Sequence, residues 1–142
     1  MRTLIVGPSR AAHPDALVYQ RTARAFRERD LDTIADTIHE FVVWHFPGKS
    51  WLARTVQGRG ALLAFLQEIF TRTGKTFVLE DRHISGTEHH VVALQWFGAT
   101  KGGETKKFET TSILRFENGQ QIERWFHIPD QDAFDAFFMR FE

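Results

Sequence analysis

Apolar residues recur every three to four positions in the first half of this chain and every second position in the latter half. That change of period lays out the elements. "HPDALVYQRTARAFRERD" has apolar residues at Leu17, Val18, Ala25 and Phe26, with Ala23 between, and Pro14 suits a first helical turn, so a helix is predicted over about 14–29. "DLDTIADTIHE" sets Leu31, Ile34, Ala35 and Ile38 on one face behind Asp30 as N-cap, which predicts a second, short helix. "EFVVWHFP" is a run of β-formers and reads as a strand, and residues 47–57 read as a loop. In "GRGALLAFLQEIFTRTG", Leu62, Phe65, Leu66, Ile69 and Phe70 share one helical face and Gly74 ends it, giving a third helix.

The period then becomes two. "KTFVLEDRHIS", "HHVVALQWFGATK", "TKKFETTSILRFE" and "QIERWFHIP" read as four strands joined by "GTE", "GGE" and "NGQ". Asn118-Gly119 is the strongest hairpin signal among these joints, and strands in sequence with tight turns predict an antiparallel meander. "DQDAFDAFFMRFE" places Phe134, Phe137, Phe138 and Phe141 on one face of a closing helix. The expected class is α+β: a long, strongly curved antiparallel sheet, helices on its concave side, and a conical space between them. Residues 1–13 read as a loose or strand-like lead-in and 14–142 as a single domain.

Composition narrows the function classes. Eighteen Lys+Arg balance eighteen Asp+Glu, without the basic excess expected of a nucleic-acid binder. There is no cysteine, hence no disulfide and no thiolate metal site, which fits a reducing, cytoplasmic setting. The start, "MRTLIVGPSRAAHP", has an apolar run too short for a signal-peptide core or a membrane span, so no membrane partner is expected. Fourteen Phe and four Trp read most simply as an aromatic core, with an aromatic-lined pocket as the sharper alternative.

The phrases "FVVWHFPG" (41–48), "QGRGALLAFL" (57–66), "ILRFENGQQIERWF" (113–126) and "PDQDAFDAFF" (129–138) resemble the nuclear-transport-factor-2-like superfamily, and within it the SnoaL-like and ketosteroid-isomerase-like branch. The resemblance covers roughly residues 15–140. It implies the cone-shaped fold and a homodimer that packs sheet on sheet. It also implies a small apolar or carbonyl-containing ligand and, where members are enzymes, cofactor-independent isomerisation, cyclisation or dehydration.

Carried over residue by residue, the resemblance puts His45 where the isomerase has its general-base Asp, and Ser112 where the isomerase has a protonated Asp. Near the isomerase's oxyanion Tyr this chain has Arg21 or Thr22, with Tyr19 about a turn early. Asp130 resembles the acid/base Asp of SnoaL-type cyclases, and His127 follows the style of the cavity histidines in scytalone dehydratase. His45, His127 and Asp130 are therefore the candidate catalytic residues. The resemblance puts His45, Ser112, Trp125 and His127 inside the cone.

Other candidates come from the residues themselves. Glu123 shares strand parity with Trp125 and His127, so it could orient an imidazole if that face is the inner one. Trp51, after Pro47-Gly48, is a candidate lid, and Phe65 a candidate cavity wall. His45 has the plainer alternative of a strand-end histidine bonded to a loop, and Asp130 that of a helix N-cap. No metal site is expected, because no helical HxxxH or HExxH spacing occurs. Three readings stay open: a small acid/base enzyme, a non-catalytic ligand-binding domain, and a protein-interaction scaffold.

Overall fold

The computed structural model describes residues 13–139 and 141. The lead-in expected over 1–13 lies outside them except for His13, whose ring Nδ1 accepts from the Asp15 amide at 3.2 Å and caps α1 (Pro14–Arg27). Arg24 and Arg27 occupy the last turn of α1, where cations suit the helix dipole. Asp30 caps α2 (Leu31–Thr37) through the Thr33 amide at 3.1 Å, and the chain runs straight on into β1 (Ile38–Phe46).

After β1 come β2 (Arg54–Gln57), α3 (Arg59–Arg72), β3 (Val78–Gly86), β4 (His90–Lys101), β5 (Glu104–Glu117), β6 (Gln120–His127) and α4 (Gln131–Phe138). Their order in the single sheet is β2-β1-β6-β5-β4-β3. The last four strands form the expected meander, and the β5–β6 hairpin turns on Asn118 (φ 52°) and Gly119 (φ 78°), the two positive values a type I′ turn requires.

Three expectations need correction. The stretch 47–57 is not all loop, because Arg54–Gln57 pairs antiparallel with β1. The sheet is not wholly antiparallel either, because β1 runs parallel to β6 in its middle. The terminal helix also stops at Phe138, although Phe141 still packs on Phe137 and Phe138.

The architecture is an α+β cone, with the helices on one face of the sheet. That inner face carries Val42, Trp44 and Phe46 from β1 and Arg124 and Phe126 from β6. From β5 and β4 it carries Ser112, Leu114, Ala93, Gln95 and Phe97. Phe46 is the hub, with ring centroids 4.6 Å from Phe126, 6.1 Å from Phe134 and 6.3 Å from Phe65. Each such side chain contributes roughly 1.5–3 kcal/mol by burial. Favourable ring geometry adds about 0.5–1.5 kcal/mol per pair.

On α1 the buried residues are Ala16, Tyr19, Thr22, Ala23 and Ala25, while Leu17 is half exposed. The small alanines let the helix lie close to the sheet, and the bulk on that face comes from Tyr19.

Candidate functional site

Strand register separates the expected site residues. Ser112 pairs with Phe126, so it shares the inner face with Phe126 and Arg124. Trp125 pairs with Ile113 and His45, and His127 pairs with Thr111, all on the opposite face. His45, Glu123, Trp125 and His127 therefore point away from the cone, contrary to the placement the resemblance implied. The parity argument kept Glu123, Trp125 and His127 together and left their side open; it was the resemblance that set His45, Trp125 and His127 inside. A register shift at Arg115/Phe116 also turns Gln121 inward, so parity cannot be counted through it.

On that outer face His45 and Glu123 do meet. His45 Nε2 lies 2.7 Å from Glu123 Oε2, and Arg115 Nη2 donates to Glu123 Oε1 at 3.3 Å. The His45 bond first, and Arg115 after it, hold the Glu123 carboxyl below its ordinary range. The imidazole stacks on Trp125 at 5.7 Å and 13°. His127 is exposed. Among the described residues no three His, Cys, Asp or Glu side chains are grouped to hold a metal.

The remaining candidates are structural in placement. Asp130 accepts from the Ala133 amide at 3.3 Å and caps α4. Trp51 rests on Phe138 beneath the Arg72 guanidinium and does not line the cavity. Phe65 is buried against Phe46, with Arg54 over its outer side, and is not part of the cavity wall either.

The cavity inside the cone is walled by Tyr19, Phe26, Trp44, Phe77, Arg124 and Phe126, among others. Only Phe26 and Phe77 among its lining residues are not fully buried, so the mouth lies between the end of α1 and the start of β3. Their rings stand 5.7 Å apart, edge to face. The free space is about 30 Å³, room for roughly two waters.

The closed end is polar. Arg124, 3% exposed, donates from Nε to Ser112 Oγ at 3.2 Å and from Nη2 to Ser112 Oγ at 2.9 Å and Gln95 Oε1 at 3.2 Å. Tyr19 donates to Asp81 Oδ1 at 3.2 Å and accepts from Gln95 and, at 3.5 Å, from Arg124. Gln95 also donates to Asp81 Oδ1 at 3.0 Å, and Arg27 reaches the other Asp81 oxygen at 3.5 Å. Burial, chiefly, and the Asp81 charge push the Tyr19 phenol well above its ordinary pKa, with Arg124 opposing them. It therefore stays a neutral phenol.

Asp81, Gln95 and Arg124 were not singled out from the sequence, and Tyr19 was named only as lying about a turn before the position of the isomerase's oxyanion Tyr. A signal existed for two of them. Gln95 and Arg124 each interrupt an otherwise apolar set of alternate positions, Val91–Ala93–Phe97–Ala99 and Phe126–Ile128. A polar residue on a buried strand face has to be satisfied inside the protein.

A family model described as the SnoaL-like domain matches residues 19–125. Bal32a, from a soil-derived mobile gene cassette, superposes with a TM-score of 0.83 at 28% identity, over 88% of this chain and 96% of that one. A protein of unknown function with a cystatin-like fold from Xanthomonas campestris does so at 0.81 and 24% identity, over 89% and 98%. TerC, co-crystallised with polyporic acid, gives 0.78 at 22% identity, over 89% and 98%. The last two are similar in fold alone. No curated protein matches the chain significantly.

Proposed function

This chain belongs to the SnoaL-like domain family, and from that premise we propose that it is a small-molecule-binding domain whose ligand enters the aromatic cone between Phe26 and Phe77. The ligand is an apolar ring compound bearing an oxygen that accepts a hydrogen bond. One observation carries this reading: the cavity wall is aromatic and its polar end presents a donor but no free base. Both Asp81 oxygens are engaged, the Tyr19 proton goes to Asp81, and the Ser112 hydroxyl donates to Gln95 at 2.9 Å. Such an end holds an oxygen; it does not abstract a proton.

Isomerisation, cyclisation or dehydration by His45, His127 and Asp130 does not follow from this arrangement, because His45 and His127 face away from the cone and Asp130 caps a helix. The fold neighbour TerC, crystallised with a small organic compound, supports the binding reading.

The outer face supports a second copy as partner. Trp125, Ile113 and Val92 follow one another across β6, β5 and β4, partly exposed, with His45 at one end of the row. Packing two such faces would cover these side chains, and the chain's zero net charge opposes association little.

A thermal-shift screen with neutral bicyclic ketones tests the binding reading. Wild type is stabilised, by about 2.7 kcal/mol at a hundredfold excess over Kd. The increment is lost in Ala23→Leu, which fills the cavity, and kept in His45→Ala. Loss of the increment in His45→Ala with retention in Ala23→Leu would put the ligand on the outer face and sink the proposal.

A further inference from the structure

We propose that the cone selects an anion: the ligand is a planar ring compound carrying an ionised oxygen, and Arg124 is the counter-charge that receives it. This rests on the binding reading above and specifies its ligand class. Arg124 is almost fully buried, yet no carboxylate of a described residue lies within ion-pair distance of it. Its hydrogen-bond partners, Ser112, Gln95 and Tyr19, are all neutral. Asp81 is linked to it only through Tyr19 and Gln95. Buried guanidinium groups are ordinarily paired, because desolvation of the charge is otherwise only partly offset.

Two further details point into the cavity. Nε and Nη2 carry every hydrogen bond that Arg124 makes to described residues, which leaves Nη1 without one. The unpaired side-chain polar atoms sealed from water among the described residues are Trp51 Nε1 and Gln121 Nε2, and Nη1 is not one of them. Arg124 also lines the cavity.

The guanidinium lies 4.5 Å from the Phe126 ring centroid, 4.9 Å from Trp44 and 5.3 Å from Tyr19. These rings hold it in place and keep water away, which strengthens its pull on an anion. A charge-assisted bond is roughly twice as strong as a neutral one. A neutral ketone would gain only the hydrogen bond, whereas a carboxylate, phenolate or enolate also neutralises the charge. Trp44, Phe97 and Phe126 make the wall beside the guanidinium aromatic, which favours a ring compound over an aliphatic anion.

The test compares 2-naphthoate, ionised at pH 7, with the neutral and nearly isosteric 2-naphthamide. Calorimetry on the full chain gives both dissociation constants for wild type, Arg124→Lys and Arg124→Met. Wild type should favour the acid by about tenfold or more, as expected for a charge-assisted bond. Arg124→Met should abolish that preference, and Arg124→Lys, which keeps the charge but loses the fork, should retain part of it.

Far-UV circular dichroism checks that the variants fold. If Arg124→Met does not, the ¹⁵N shift of Arg124 Nε in wild type replaces it, moving with the acid and far less with the amide. Equal affinity for the two compounds, or a preference that survives in Arg124→Met, overturns this inference and leaves the binding reading standing. Binding of neither compound removes both.

Discussion

Tyr19 is the only tyrosine in the chain, so its ionisation can be read without interference from another. Its absorbance near 295 nm should stay that of a phenol as the pH rises past about 10, the ordinary tyrosine value. The folded-state pKa is raised, so the associated stability is complete below that pH. It declines as the pH climbs toward the folded value, because the unfolded chain ionises first. Tyr19→Phe leaves Asp81 and Gln95 each short of a partner and should cost roughly 1–3 kcal/mol in urea unfolding. Glu123 has the opposite sign. Its folded pKa is depressed, so its contribution is present above the ordinary carboxylate range and fades as the pH falls through the lower folded value. In His45→Ala the Glu123 carboxyl, followed by ¹³C NMR, should titrate nearer to that ordinary range.

At the scale of elements, two glycines set the β4–β5–β6 meander in place. A Cβ on Gly98 would overlap the Lys106 carbonyl of the neighbouring strand, so Gly98→Ala should part β4 from β5 and cost more than about 1–3 kcal/mol, the usual range for overpacking. Gly119→Ala places a side chain at φ 78° and should cost about 1–2 kcal/mol in the same unfolding assay. Asp130→Ala should cost about 0.5–2 kcal/mol as a lost N-cap, with ligand affinity unchanged.

The sequence made these elements legible where period and turn chemistry agreed, as in α3 and the Asn118-Gly119 hairpin. It hid β2, a four-residue edge strand in which Val56 alone is buried, so no alternation announces it. The inner face was misjudged because it was taken from the resemblance, which set His45, Trp125 and His127 inside, whereas Arg124, a charge held by neutral partners, takes that side. The apolar Trp125 next to it reads as core and is instead 37% exposed. Tyr19 escaped because the buried face of α1 is built from alanines, which carry little signal.

At the scale of the whole molecule, the two faces of the sheet have different occupants. One is filled by helices and closes around Arg124. The other presents Trp125, Ile113 and Phe41 at 37%, 42% and 69% exposure. Sedimentation equilibrium should therefore find a dimer for wild type and a shift toward monomer for Trp125→Glu, which puts a desolvated charge in the centre of the contact. A monomeric wild type at micromolar concentration would leave that face without its proposed partner.

The parallel pairing of β1 with β6 governs how the molecule is made. Trp44 on β1 donates to Gln121 on β6 at 2.7 Å across 77 residues of chain. During synthesis β1 can pair early with β2, but its other neighbour, β6, emerges only after β3, β4 and β5. Trp44 and Phe46 therefore lack their β6 neighbours until that strand emerges, while the β3–β6 meander can assemble from contacts local in sequence. Folding of this domain is thus a late event, and a nascent chain arrested before Gln120 carries an open aromatic surface, the state in which aggregation competes with folding.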